Sequence, residues 1–247
     1  MIRNVTPSMV SVIAPTYNAE AYLAETMASV LEQNWEPLEL LVMDDGSSDR
    51  TVAVAKGFGD LARVIACSHR GLAATRNSGV AAARGEFLLH LDADDLLTPK
   101  SIFTRMQHFS ADPTFDMVVG KLMCFLSPEL SDEERTRYAA PPEPQQGHLP
   151  GAAIIRAAAF DKYGRIDERF AVNADLDWSV RARDEGARIR LIDDVVVKRR
   201  IHGKNLTLTS KQELDASRLQ IVRASLARRR RGTRGVKGAM HESSRRS

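Results

Sequence analysis

Short apolar blocks and stretches of helical spacing alternate along the first half of the chain. Met9–Ala14 (MVSVIA), Leu38–Met43 (LELLVM), Arg63–Cys67 (RVIAC) and Phe87–Leu91 (FLLHL) are mostly apolar, often β-branched runs of strand length, as expected of strands buried on both faces. Between them, Ala19–Gln33 spaces Ala21, Met27, Ala28, Val30 and Leu31 as a helix does. Asp49 can cap a helix running to Lys56, and Leu72–Arg84 is Ala-rich and closed by Gly85. Pro15 is expected to end the first strand, and Pro99 to open a further helix from its first position. Strands alternating with helices predict a parallel sheet with flanking helices.

After Gly120 the pattern loosens. Ser127–Gln146 holds four prolines and a DEER segment, which reads as a long surface excursion or lid. Ala152–Ile155, Arg156–Tyr163, Leu176–Glu185 and Val195–Ile201 restore order, and Lys211–Arg230 has the spacing of an amphipathic terminal helix. The expected division is one domain over 1–227. Its first half covers about 9–120, its second half about 121–210 and the terminal helix about 211–227; residues 228–247 form a disordered tail.

At 247 residues, with 43% hydrophobic and 27% charged residues, the chain has ample core and is not disordered as a whole. No run of 18 apolar residues offers a membrane span, and Met1–Met9 has no apolar stretch resembling a secretory signal. Cys67 and Cys124, 57 positions apart, read as reduced, buried small hydrophobes of a cytoplasmic protein. The net charge of +3 hides an asymmetry: from Arg228 onward eight Lys/Arg face one Glu, so this tail carries +7 and the remainder −4. Nucleic-acid binding would rest on the tail alone, which has no interleaved aromatics, and is not expected.

The candidate chemistry is acidic. Asp44-Asp45 follows the second strand and Asp92-Ala93-Asp94-Asp95 the fourth. Ligands of open α/β sheets collect outside the carboxyl ends of strands. Asp residues also favour turns, but five carboxylates on one rim repel unless a cation or donors offset them. Asp92-x-Asp94 is a hard-oxygen pair suited to Mg²⁺ or Mn²⁺ sharing its shell with a diphosphate. It does not suit zinc, since no Cys or His pair stands at ligand spacing. Neither a G-x-G-x-x-G after the first strand nor a P-loop is present, and the PTYNAE segment lacks the Gly-rich basic loop of nucleotidyltransferases.

These segments resemble the family 2 glycosyltransferases of GT-A fold: VSVIAPTYNAEAYLAETMASVLEQ, LELLVMDDGSSDRT, GLAATRNSGVAAARGEFLLHLDADD, GAAIIRAAAFDKYGRIDERF, DLDWSVRARDEG and RIHGKNLT, in that order from Met9 to Thr207. The resemblance implies an α/β fold with a mostly parallel central sheet flanked by helices. It implies an inverting, metal-dependent enzyme that moves a sugar from a nucleoside diphosphate, UDP above all, to a hydroxyl on a glycan or lipid-linked acceptor, in polysaccharide or surface-glycan synthesis. By position, Pro15, Tyr17, Asp45, Arg76 and Asp92 match the family's nucleotide-sugar contacts, with Tyr17 able to stack on the base. Asp44 reads as structural. Asp94 matches the metal ligand of the D-x-D motif, and His202 aligns with a histidine near the diphosphate or metal.

Asp175 matches the base that takes the acceptor proton. On a helix Asp175 and Asp177 point about 200° apart, so only one can face the cleft, and Asp175 could alternatively cap its helix. Trp178 either packs in the core or stacks on the sugar. The family often has an acidic residue before the base where Ala174 stands here. That leaves open an inactive relative acting as a nucleotide- or protein-binding module. The eight tail cations could hold the enzyme against anionic lipid on the inner face of the membrane.

Overall fold

The computed structural model describes residues 8–147, 150–205 and 210–243. Strands β1 (Val10–Thr16), β2 (Leu38–Asp44), β3 (Arg63–Ala66) and β4 (Phe87–His90) alternate with helices α1 (Leu23–Leu31), α2 (Thr51–Lys56) and α3 (Leu72–Ala82). They are followed by β5 (Leu96–Leu97), α4 (Ser101–Ala111), β6 (Met117–Leu126), α5 (Asp132–Arg137), β7 (Gln145–Gln146), β8 (Ala153–Arg156), α6 (Ala158–Tyr163), α7 (Ala174–Asp184), β9 (Ile189–Ile201) and α8 (Lys211–Ser243).

One sheet of nine strands runs in the order β3-β2-β1-β4-β8-β6-β9-β5, with β7 paired to β6. The β3-β2-β1-β4 half is parallel throughout. Beyond β4 the sheet is mixed: β8 runs antiparallel to both β4 and β6, while β6 and β9 are parallel. The apolar runs of β1, β2 and β4 are buried along nearly their whole length, which joins the two halves through one core.

Several boundaries differ from expectation for local reasons. β1 continues through Pro15 to Thr16 and pairs there with β2 only, because its β4 partners stop opposite Ile13; the missing proline donor therefore faces no neighbour. Pro99 does not open α4: Lys100 takes a left-handed backbone (φ 61°) and the helix starts at Ser101. The loosened pattern after Gly120 hides the ten-residue strand β6, with a register shift against β9 between Val119 and Lys121. A Cβ on Gly120 would lie 2.6 Å from a Val196 methyl carbon and 2.9 Å from the Asp194 carbonyl oxygen, so glycine sits where the strands bulge together.

Within the expected lid, Ser131 caps α5 through a capping box with Glu134, and β7 pins the far end to β6. The terminal helix does not end at residue 227 with a disordered tail behind it. It runs to Ser243, about 50 Å at 1.5 Å per residue; residues 244–247 lie outside the described residues. Cys67 and Cys124 are free and half-buried. No helix among the described residues is long and apolar enough to cross a membrane.

Candidate active site

The carboxyl ends of β1, β2 and β4 share one rim, and two clefts open along it. The first, of about 730 Å³, is lined by Pro15, Tyr17, Asp45, Asp92, Asp94 and His202, six of the expected site residues. The second, of about 460 Å³, is lined by Arg76, Asp175, Asn173 and Gln146. Asp92, Asp95, Leu72 and Arg199 border both. The larger cleft falls within the usual size range of small-molecule sites, about 300–1,000 Å³.

At the mouth of the first cleft Tyr17 is 52% exposed and stacks on His69, ring centroids 4.5 Å apart. His69 gave no signal in the sequence. Asp45 is buried beneath them; its carboxylate accepts from the backbone N–H of Arg70 (2.8 Å) and of Gly71 (2.9 Å). Gly71, with φ 91°, takes the left-handed turn that aims both amides at Asp45 and then starts α3. Asp44 is structural, as expected: it accepts from the Ser47 amide (3.1 Å) and the Thr16 hydroxyl (3.4 Å).

Arg76 is drawn into the interior because α3 lies almost against β1. A Cβ on Gly79 would stand 2.3 Å from Ile13 Cγ2, and four of the helix's eleven residues are alanine. Asn77 fixes the other side of α3, donating to the Ile166 carbonyl (2.9 Å) and accepting from its amide (3.1 Å). From that position the buried guanidinium, its side chain 3% exposed, donates through Nη2 to Asp92 (2.5 Å) and through Nη1 to Asp175. Burial would lower the Arg76 pKa, but the two carboxylates outweigh it and raise it. Asp175 gains in return: burial raises its pKa, yet Arg76, with a smaller contribution from His90, pulls it below the usual carboxylate range.

Asp175 stands in the first turn of α7, one residue beyond its start, and Asn173 (φ 61°) occupies the position before the helix, so the capping alternative is not what the fold uses. Asp177 turns away to Arg181 at 3.7 Å. Trp178 packs in the core and lines neither cleft. It is buried, stacked on Phe160, and donates to the Gly164 carbonyl (2.6 Å).

Behind Asp175 lies buried His90, with Nδ1 3.8 Å from Asp175 Oδ1. Among the described residues both His90 ring nitrogens, Asp175 Oδ1 and Arg76 Nε are buried without a hydrogen-bond partner. The FLLHL run marked His90 as one apolar-strand position among others, and nothing in its spacing pointed at Asp175.

The D-x-D segment is held from below. Arg200, almost fully buried, donates its amide to Asp95 (2.9 Å), its Nε to the Asp94 carbonyl (3.0 Å) and Nη2 to Glu25 (2.5 Å). Asp94 Oδ2 meets His202 Nε2 at 2.8 Å and accepts from Asn205 (3.2 Å). His202 is buried, its ring tilted against that of Tyr22 with centroids 4.6 Å apart. Burial and the Glu129 carboxylate push the Tyr22 hydroxyl up to about 12. Asp95 is raised well above the carboxylate range by burial and by Asp94 and Asp92.

That crowding of like charge, with a carboxylate oxygen and an imidazole nitrogen side by side, fits a divalent cation that also takes oxygens from its substrate. Among the described residues no group of three or more His, Cys, Asp or Glu side chains could hold a metal by itself. Asp94 and His202 would supply two donors to such an ion, and a ligand's oxygens would have to complete its shell.

The family description "Glycosyl transferase family 2" matches residues 11–180. An uncharacterised glycosyltransferase of Rickettsia prowazekii is 25% identical, the match covering 87% of this chain and 71% of that protein. The chondroitin synthase of Pasteurella multocida is 25% identical over 90% of this chain and 24% of its own. Among solved structures, residues 1–349 of S. aureus TarS in complex with UDP-GlcNAc share the fold at a TM-score of 0.66 and 21% identity, covering 82% of this chain and 61% of that one. A match over well more than half of its length settles the family: the chain belongs to glycosyl transferase family 2.

Proposed function

We propose that this glycosyltransferase moves a sugar from a nucleoside diphosphate, UDP first among candidates, to an acceptor hydroxyl with inversion at the anomeric carbon. The observation that carries the reading is the Arg76 bridge. One buried guanidinium ties Asp92, on the wall between the clefts, to Asp175 in the smaller cleft. In this reading the larger cleft takes the donor, with the base against Tyr17 and Asp45, and the smaller cleft takes the acceptor. Asp175, kept ionised by Arg76, removes the acceptor proton as its oxygen attacks. A single displacement needs no protein nucleophile and therefore inverts.

A Mg²⁺ or Mn²⁺ ion held by Asp94 and His202 would neutralise charge developing on the leaving diphosphate. Arg200 serves this arrangement by fixing the Asp94-Asp95 backbone to Glu25. UDP is favoured by the structural neighbour bound to UDP-GlcNAc, and a role in polysaccharide synthesis by the relative named as a chondroitin synthase.

Calorimetric titration with UDP, GDP, dTDP and CDP, each with Mn²⁺ and with EDTA, tests the donor site. Tightest binding is expected for UDP with Mn²⁺, weakened at least tenfold by EDTA and by Asp94→Ala. Binding of none of the four nucleotides would point instead to an inactive relative.

A further inference from the structure

The terminal helix α8 buries one face against the fold and carries an apolar stripe on the other. Leu214, Ser217, Ile221 and Ser225 are buried at helical spacing. Asn173 at the start of α7 donates to Leu214 O (3.1 Å) and Ser217 Oγ (2.8 Å). On the outer side Leu219, Val222 and Leu226 are 52%, 54% and 50% exposed. Three and four residues apart, they form one continuous stripe. The outer face of an ordinary surface helix is polar instead.

The stripe is edged with arginine on both sides. At about 100° per residue, exposed Arg218 and Arg229 lie roughly 50–75° to one side of its centre and exposed Arg223 and Arg230 a similar angle to the other. Arg229 also reaches Asp184 (2.9 Å). Over residues 211–243 nine Lys/Arg stand against three Asp/Glu. An apolar ridge with long cationic side chains on each flank suits the boundary of an anionic bilayer. The aliphatic side chains enter between headgroups, and the cationic flanks, on which Arg218 and Arg229 also pair with Asp215 and Asp184, lie level with the phosphates.

We infer that α8 lies on anionic phospholipid through Leu219, Val222 and Leu226. The same helix borders the smaller cleft with Leu214 and Arg218, beside Asp175. Docking therefore sets that cleft at the lipid surface and selects an acceptor hydroxyl carried on a lipid. This second half rests on the proposed transfer reaction; the docking itself does not.

The test is sedimentation of the full chain with vesicles of phosphatidylcholine alone and of phosphatidylcholine with about 30% phosphatidylglycerol. Wild type is compared with Leu219→Gln/Val222→Gln/Leu226→Gln and with Arg223→Gln/Arg230→Gln. Gln keeps helix propensity close to that of Leu, and unchanged UDP affinity shows that each variant is folded. The expected result is binding to the anionic vesicles only, weakened at least tenfold by the triple substitution and several-fold by the double one or by 0.5 M salt. Absence of binding, or binding untouched by the triple substitution, overturns the inference. A wild-type dimer that the triple substitution dissociates, with no vesicle binding, assigns the stripe to a second copy and overturns it equally. Loss of UDP binding by wild type, with vesicle binding intact, would defeat the transfer reading and leave the docking standing.

Discussion

Arg76 has two carboxylates to hold and no solvent to share the task. Replacing it with Met leaves Asp92 and Asp175 without their cation in a buried setting, and removal of one partner there is costly. Since Arg76 holds the Asp175 pKa down, its loss lets that pKa rise, and the base is then protonated at a higher pH. A pH–rate profile of Arg76→Met should show the acid limb of kcat displaced upward, with turnover at neutral pH reduced about 10²-fold or more; an unmoved limb would separate Arg76 from the base. Much at this scale was legible beforehand, because carboxylates that follow apolar strands have few structural uses. Asp92 and Asp94 stood out as carboxylates that end the fourth apolar strand, and Asp175 through the resemblance to the family alone. What could not be read was mutual placement. His69, His90 and Arg200 come from separate segments and meet their partners only after folding, and no spacing rule links His90 to a residue 85 positions away.

Elements decide whether those side chains meet at all. β6 carries the second half of the sheet, and its bulge at Gly120 lets β9 pass closely enough to deliver Arg200 and His202 beneath the D-x-D loop. Gly120→Ala would push a methyl into the Asp194 carbonyl and the Val196 side chain. A stability loss of about 1–3 kcal/mol is expected from such overpacking, read as a lower denaturant midpoint at unchanged m-value; an unchanged midpoint would show that the bulge is not tight. The same glycine explains why β6 was missed, since a central Gly breaks the apolar run by which β1, β2 and β4 were recognised. The early end assigned to β1 has a related cause. Proline ends a strand only where its N–H is needed, and no neighbour at Pro15 needs one.

For the molecule as a whole, the attachment of α8 sets both stability and orientation. The helix is fastened near its middle, where the enclosed Asp184 carboxylate meets Arg228 (3.2 Å) and Arg229 (2.9 Å). Burial raises the Asp184 pKa, but hydrogen bonds from Ser225, Arg229 and Arg228 outweigh it and leave it lowered. A depressed folded-state pKa gives stability that is present above the unfolded value and fades as pH falls through the folded one. Asp184→Ala should therefore cost about 1–3 kcal/mol at neutral pH, with the gap from wild type narrowing below about pH 4 in thermal melts. A gap constant with pH would mean that packing, not charge, fastens the helix. The helix extends well past the position at which the apolar pattern placed its end, because charged residues continue a helix without contributing an apolar stripe. The most direct test of the whole account is Asp175→Asn, assayed for UDP release from UDP-sugars with a hydroxyl acceptor beside a UDP titration. The account predicts UDP affinity within twofold of wild type and turnover lower by about 10²–10⁴. Turnover equal to wild type would contradict it, leaving Asp175 as a partner of Arg76 and nothing more.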